Sequence, residues 1–571
     1  MSHYGYKNYN GDPSYKQIRY IKAIELYVDE EFTGTTMAEA SAYIDKYKDV
    51  YEECRRLVDI KTKRAEKEQE EALLKQLLQD STSQDPSSLY PKARSIQRRF
   101  VLHVGPTNSG KTYSALEALK YAANGVYLGP LRLLALEVSE KFNSQGIPCS
   151  LITGEEELLV DNAYITASTI EMLSIQEHYD IVVIDEAQML QDRDRGHNWT
   201  NAILGTYADE IHVCMAPEAL DIVIKLIETC HDTYEIVEHT RKTPLIFEQK
   251  YDKQKKSGDA YIVFSRKEVL HLASDFEAKG HKVSVIYGSL PPAARREEAR
   301  RFIEGETDIL VSTDAIGMGL NLPIQRIIFM RASKFDGVTI RDLNHSEIKQ
   351  IAGRAGRQGI FDTGYVASKE SPRLIEKALT SDITPIVKAS FGIPETAFML
   401  SYNIKKILSR WKLIEVPDLY TKMDVQPLLD LCDVAPIDIN ECPRDMLYKF
   451  LTCSIDAKNK TLIDDWQRYF YNIYHGKTIK MPFVTTSENL EILESNYKQF
   501  DLYFQVCKKF KIDVDAIEIN NIKSKLAKRI NNVLKKDKDK YKKTCRSCGK
   551  TLPFNYEFGI CEKCFRHRYN Y

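Results

Sequence analysis

The stretch Phe100-Val-Leu-His-Val104-Gly105-Pro106-Thr107-Asn108-Ser109-Gly110-Lys111-Thr112 decides the fold. An apolar run enters a loop of the form G-x-x-x-x-G-K-T, and a helical stretch follows. Glycines at the two ends of the loop let backbone N–H groups turn inward around phosphate oxygens. The helix N-terminus behind them adds a favourable dipole. Lys111 is placed to reach the β- and γ-phosphates of a nucleotide, and the Thr112 hydroxyl to hold Mg²⁺. A chance glycine-rich turn would lack this strand–loop–helix context.

A phosphate loop needs a carboxylate site, and Ile181-Val-Val-Ile184-Asp185-Glu186-Ala187-Gln188 supplies one. An apolar strand delivers two adjacent acids at its carboxyl end, where ligands of open α/β sheets bind. Asp185 is expected to hold the Mg²⁺, and Glu186 to orient and deprotonate the attacking water. Further short β-branched runs surround these motifs. Val126–Leu128 and Ile211–Met215 extend the first series, and Tyr261–Phe264, Val283–Tyr287, Ile309–Ser312 and Arg326–Met330 form a second. Strands alternating with helical stretches imply parallel sheets covered on both faces. Two α/β lobes are therefore expected, over 99–243 and 244–384.

The second lobe carries Gln350-Ile-Ala-Gly-Arg354-Ala-Gly-Arg357. On a helix these polar residues would share one face. Two guanidiniums aimed together suit the charge that develops on a transferring phosphoryl group. Supplied from a second lobe, they make hydrolysis depend on lobe closure. Upstream, Ser312-Thr313-Asp314-Ala-Ile-Gly317-Met-Gly319-Leu-Asn321 is a strand entering a glycine-rich turn. Its hydroxyls and amides, with Gly317 and Gly319, are expected near the nucleotide and near a nucleic-acid backbone.

The rest of the chain frames these lobes. Residues 1–98 read as a helical region ending in a linker over Asp80–Pro91, with Thr36-Met-Ala-Glu39 spaced as a capping box. Residues 385–540 return to helical periodicity, and 523–543 is strongly basic. At 571 residues with 43% hydrophobic and 28% charged residues, the composition is that of a multidomain globular chain. No apolar run approaches the ~18 residues of a membrane span, so no membrane partner is expected. The first residues lack a secretory h-region and include Asp12, Asp29, Glu30 and Glu31, which points to a cytoplasmic protein. The net charge of −1 gives no global nucleic-acid footprint, although a motor can confine its basic groups to one channel.

Cys545-x-x-Cys548 and Cys561-x-x-Cys564 enclose residues 549–560. This spacing reads as a four-thiolate structural zinc site in a ribbon-like module over 541–571, with disulfides or an iron–sulfur cluster as alternatives. Such a short segment cannot bury enough apolar area alone, so the metal would supply folding energy. The flanking lysines, with Phe554, Tyr556, Phe558, Phe565 and Tyr569, suggest nucleic-acid or protein docking.

In order and spacing, the phosphate loop, Asp185–Gln188, Ser312–Asn321 and Gln350–Arg357 resemble motifs I, II, V and VI of superfamily 2 helicases. The finer resemblance is to the Suv-three-like RNA helicases, the mitochondrial degradosome type with bacterial relatives. It is carried by Gly105–Thr112, Gly129-Pro-Leu-Arg-Leu-Leu-Ala135, Thr153-Gly-Glu-Glu156, Tyr287-Gly-Ser-Leu-Pro-Pro292 and Ile351–Arg357. It covers roughly 99–370, and more loosely the chain to about 535. Ala187 replaces the family's usual aliphatic residue. Gln188 in place of His separates the chain from Ski-two-like relatives. Cys214-Met-Ala-Pro-Glu218 stands where others carry S-A-T, and no adenine-reading Q motif precedes the phosphate loop.

The resemblance implies two tandem RecA-like lobes that bind ATP and Mg²⁺ at Gly105–Thr112 and Asp185. Lys111, Asp185, Glu186, Gln350, Arg354 and Arg357 would carry hydrolysis. It further implies 3′→5′ movement on single-stranded RNA with duplex unwinding in RNA turnover. Expected RNA contacts are Pro130, Arg132, Thr153, Gly154, Ser168, Thr169, Ser265, Arg266 and Thr313. A monomer of bacterial type is expected, with an exoribonuclease as a candidate partner. Two other readings stay open: a DNA helicase or translocase on the same core, and an RNA-binding scaffold with a vestigial ATPase.

Overall fold

The computed structural model describes residues 11–82, 86–252, 254–317, 321–337, 339–357, 359–382, 384–400, 403–536, 544–550, 552, 556 and 558–569. It divides into two units, Met1–Asp80 and Ser81–Tyr571.

In the first unit, helix Tyr15–Ile24 starts at a capping box made by Ser14 and Gln17. The helix beginning at Met37 starts at the expected second box: Glu39 N–H donates to the Thr36 hydroxyl at 3.3 Å, and Thr36 N–H to the Glu39 carboxylate at 2.9 Å. Ile21, Ile24, Ala40, Tyr43 and Tyr51 form the core of this unit.

The second unit contains two parallel sheets. The first has eight strands, in the spatial order Glu157–Leu158, Cys149–Ile152, Ile165–Thr169, Gly125–Gly129, Tyr179–Ile184, Ala208–Met215, Arg99–Val104 and Thr233–Glu238. Only the outermost pair, Glu157–Leu158 with Cys149–Ile152, is antiparallel. The second sheet has six parallel strands, in the order Val283–Ile286, Ile309–Ser312, Asp259–Ile262, Arg326–Phe329, Gly364–Ser368 and Leu245–Glu248. The two-lobe α/β architecture expected from the motifs is thus the one observed. Central strands are buried on both faces, which explains why they read as unbroken apolar runs. Helices Leu490–Lys509 and Ala516–Lys536 dominate the helical region beyond the lobes, which also holds a small parallel ladder, Ala389–Phe391 with Tyr420–Lys422.

The linker expectation for Asp80–Pro91 needs correction. Pro86–Leu89 forms a 3-10 turn with Pro86 and Ser87 buried, and helix Pro91–Arg94 follows. Tyr90 donates to Asn201 at 2.8 Å, while Arg94 and Arg98 both pair with Asp232. The segment after residue 85 therefore belongs to the first lobe. Its proline and serines serve a tight buried turn rather than a free connection.

Candidate nucleotide and nucleic-acid site

The phosphate loop leaves strand Arg99–Val104 and enters helix Lys111–Leu119. Lys111 Nζ lies in the loop's cradle, donating to the Gly105 and Pro106 carbonyls at 2.7 and 2.8 Å. Burial pulls its pKa below the usual lysine value, against the opposing charge of Glu186. The acidic pair lies at the end of strand Tyr179–Ile184, as its apolar run required. Asp185 is 4% exposed and accepts from the Thr112 hydroxyl at 3.1 Å, the Tyr127 hydroxyl at 2.9 Å and the Glu186 N–H at 2.9 Å. Trp199 Nε1 donates to its carbonyl at 2.9 Å. Burial, helped by Glu186, pushes the Asp185 carboxyl up to about 6, and its hydrogen bonds to Tyr127 and Thr112 oppose the shift. A buried carboxylate facing a threonine hydroxyl is a donor set suited to Mg²⁺.

Glu186 occupies a left-handed conformation, φ 54°, which is uncommon outside glycine and frequent at working sites. Its carboxylate accepts from Gln188 Nε2, and Gln188 Oε1 accepts from Ala216 N–H at 3.0 Å. Two residues on, Glu218 accepts from Ser346 at 2.9 Å, on the second lobe's helix His345–Ala352. Hydrogen-bonding residues thus lead from the candidate general base to the helix that precedes the arginines.

That helix ends earlier than its motif suggests. Gln350 lies in its last turn, but Arg354 and Arg357 follow its end at Ala352, Arg354 in a turn and Arg357 in irregular chain. The expectation of one shared helical face is corrected accordingly. Gly356 sits at φ 71°, a conformation that a helix interior excludes. Gly353 is required for space: a Cβ there would lie 2.7 Å from Thr107 Cβ of the phosphate loop. The turn therefore packs directly on the loop. Arg354 Nη2 lies 3.8 Å from Glu186 Oε1, and its Nε donates to the Gly317 carbonyl at 3.0 Å. Arg357 donates to the Asn321 carbonyl at 2.8 Å. Gly319, expected near the nucleotide, lies outside the described residues.

Sequence reasoning missed Arg241, in the segment between the two sheets. It donates to the carbonyls of Thr243 at 2.7 Å, Gly353 at 2.7 Å and Ala355, with Thr107 O at 3.5 Å. Asn108 Nδ2 reaches the same Gly353 carbonyl at 2.9 Å. Arg241 thereby pins the backbone on either side of Arg354 and holds that turn close to the phosphate loop. An Arg241→Ala variant is expected to lose about 10- to 100-fold in kcat for ATP hydrolysis, through misplacement of Arg354. KM for ATP should change less than about twofold, since no nucleotide contact is removed. A raised KM with kcat unchanged would instead point to a purely binding role; steady-state kinetics separate the two.

Several expected RNA contacts have protein partners. Arg132 is 9% exposed and pairs with Glu156 at 2.7 Å and Asp501 at 3.5 Å. Arg266 pairs with Glu494 at 3.0 Å and Glu491 at 3.1 Å, and Tyr287 donates to Glu494 at 2.7 Å. Helix Leu490–Lys509 thus holds the second lobe near its N-terminal end and the first lobe further along. Lys523, buried on the neighbouring helix Ala516–Lys536, closes the first-lobe end on Asp501 and the Glu155 carbonyl. Thr153 accepts from the N–H groups of Glu155 and Glu156, Ser168 donates to Ile152 O at 2.6 Å, and Ser265 caps helix Arg266–Glu277. The Pro130 carbonyl accepts from Arg195 at 2.7 Å, Thr169 and Thr313 are buried, and Gly154 is half-buried near Gln505. These residues gather at carboxyl ends of strands and helix starts, several facing the helical region.

The four C-terminal cysteines come together, with their Sγ atoms all within 4.8 Å of one another. Cys548 and Cys561 Sγ lie 3.7 Å apart, and Cys561 N–H donates to Cys545 Sγ at 3.2 Å. Backbone N–H groups, that of Cys561 first, lower the Cys545 thiol to about 6.

Comparison with known proteins agrees with this geometry. Residues 86–239 match the DEXQ-box helicase domain of Suv3, and 241–359 match the helicase conserved C-terminal domain. The mitochondrial ATP-dependent RNA helicase SUV3 of Candida albicans is 46% identical over 318 residues, covering 53% of this chain and 44% of that protein. The mitochondrial DExH-box ATP-dependent RNA helicase DExH16 of Arabidopsis thaliana is 37% identical over 445 residues, covering 73% of this chain and 77% of that protein. The chain thus spans less than half of the first relative and about three quarters of the second. Among solved structures, Escherichia coli DEAH/RHA helicase HrpB aligns with a TM-score of 0.46 at 13% identity, covering 74% of this chain and 60% of that one. The relatives' names overturn the cytoplasmic expectation, because these helicases are called mitochondrial. Absence of a transit-like composition at the first residues was a weak guide to compartment. With the phosphate loop, the acidic pair and the second-lobe arginines assembled in one site, the chain belongs to the Suv3 family of ATP-dependent RNA helicases.

Proposed function

We propose that this chain hydrolyses ATP between its two lobes to drive 3′→5′ movement along single-stranded RNA, unwinding duplexes during RNA turnover in mitochondria. The observation that carries the reading is Arg354 of the second lobe standing 3.8 Å from Glu186 of the first. Glu186 would orient and deprotonate water, Lys111 and the loop amides would bind phosphates, and Arg354 with Arg357 would meet the developing charge. Bound Mg²⁺, held by Thr112 and Asp185, would supply further charge neutralisation. Because the arginines come from the other lobe, each closure and opening is coupled to one turnover. Helix Leu490–Lys509, bonded to both lobes, would pass that movement to the RNA-facing strand ends. An exoribonuclease is the partner class that consumes the single strands such a motor releases, and the chain is read as a monomer.

The C-terminal cysteines are read as a structural zinc site. Four thiolates around zinc at ~2.3 Å stand roughly 3.8 Å apart, close to the Cys548–Cys561 separation and far beyond a disulfide's ~2.05 Å.

ATPase assays with RNA or DNA cofactors, paired with strand displacement on tailed duplexes, test the motor. RNA should stimulate turnover more than DNA, and 3′-tailed RNA duplexes should be opened in preference to 5′-tailed ones. Stimulation by DNA alone would replace RNA as the substrate, and preference for 5′ tails would reverse the polarity.

A further inference from the structure

We propose that the four-cysteine module is a second binding site for single-stranded RNA, with bases stacking on Phe558 and Phe565 and phosphates taken by Arg546, Lys563, Arg566 and Arg568. The inference rests on the reading of the chain as an RNA motor. The module's own core is small: Cys545, Leu552 and Cys561, with Tyr556, Ile560 and Cys564 packed against it. Phe558 is left 66% exposed and Phe565 50% exposed. Phe558 meets Tyr556 edge-to-face with ring centroids 6.0 Å apart, yet each phenylalanine keeps at least half of its surface in solvent. Such exposed ring surface suits a planar ligand, since base–aromatic stacking is worth ~1–3 kcal/mol per base.

Charge points to the same ligand. Across residues 544–569 the sequence carries Arg546, Lys550, Lys563, Arg566 and Arg568 against two acids, Glu557 and Glu562. All five cations are exposed. The Arg566–Glu562 pair at 2.6 Å is exposed on both sides, so it yields readily to a phosphate. In a chain of net charge −1, this is a local basic excess beside a lysine-rich stretch that begins at Lys535 and Lys536. An acidic protein segment would satisfy the cations but meets the phenylalanines only where it happens to carry aromatic side chains, whereas every nucleotide of RNA brings both a phosphate and a planar base. RNA satisfies both.

The test uses the full chain and a 4-thiouridine-substituted oligouridylate 20-mer without nucleotide. After irradiation, crosslinked peptides are mapped by mass spectrometry and bound zinc is counted. Crosslinks should appear on the peptides containing Phe558 or Phe565 as well as on the lobes. A Phe558→Ala/Phe565→Ala chain that keeps its zinc should lose the module crosslinks and bind the 20-mer tenfold or more weakly. Arg566→Gln/Arg568→Gln should reduce the salt dependence of binding by about 1.4 in log–log slope, since each single-strand phosphate contact contributes ~0.7. Crosslinks confined to the lobes, with affinity and slope unchanged, would overturn the site and leave protein docking as the module's role. Absence of crosslinks from the lobes as well would overturn both this site and the choice of RNA as substrate.

Discussion

An Arg354→Ala chain is expected to lose about 10³- to 10⁵-fold in RNA-stimulated kcat for ATP hydrolysis, the range measured for removing an arginine finger. The guanidinium stands 3.8 Å from Glu186 and is steadied by the Gly317 carbonyl, which places its positive charge beside the proposed general base. It comes from the second lobe, whereas Lys111, Asp185 and Glu186 come from the first. ATP affinity should therefore hold within a few-fold while turnover collapses. Arg354→Lys should rescue little, because an ammonium is a point charge without the planar fork. Single-turnover phosphate release at saturating ATP and RNA measures the loss. A decrease below about tenfold would remove Arg354 from the transition state and leave it a structural tie to Gly317.

How far the sequence reveals this site depends on where each residue's partners come from. The phosphate loop and acidic pair were legible because their chemistry is local: glycines, lysine and threonine within one turn, and two acids ending one apolar strand. Central strands such as Ile309–Ser312 and Arg326–Phe329 were legible because both faces are buried. The outer strand Thr233–Glu238 is largely exposed and gives no such run, so it was missed. Gln350 lies on the helix expected for it, but Arg354 and Arg357 follow the helix end. The periodicity fits a helix, but Gly353 and Gly356 serve a turn pressed against Thr107. Arg132 and Arg266 looked like free cations for RNA phosphates. Arg266 meets Glu494 and Glu491 of helix Leu490–Lys509, Glu494 being 228 residues away, and Arg132 meets Asp501 of the same helix as well as Glu156 of its own lobe. Arg241 had no signal at all, because its acceptors are backbone carbonyls.

The second large effect is expected at Glu186, where an isosteric change separates binding from chemistry. Glu186→Gln should lower kcat by about 10²- to 10⁴-fold, the usual contribution of a general base. The barrier rises by about 3–5 kcal/mol. Lys111, Thr112 and Asp185 are untouched, so the variant should bind ATP and RNA together and hold them. The glutamine amide oxygen can still accept from Gln188, which keeps the link to Ala216 N–H and so to the segment bearing Glu218. Lobe closure on ATP should therefore survive while hydrolysis fails, trapping the chain on RNA. RNA dissociation in ATP should be much slower for this variant than for the unmodified chain, whereas Arg354→Ala should show no such trapping if Arg354 also helps to hold the lobes closed. Hydrolysis within tenfold of the unmodified rate would assign the water to another base. Loss of ATP binding instead of turnover would mean that the left-handed turn at Glu186, φ 54°, shapes the nucleotide pocket itself.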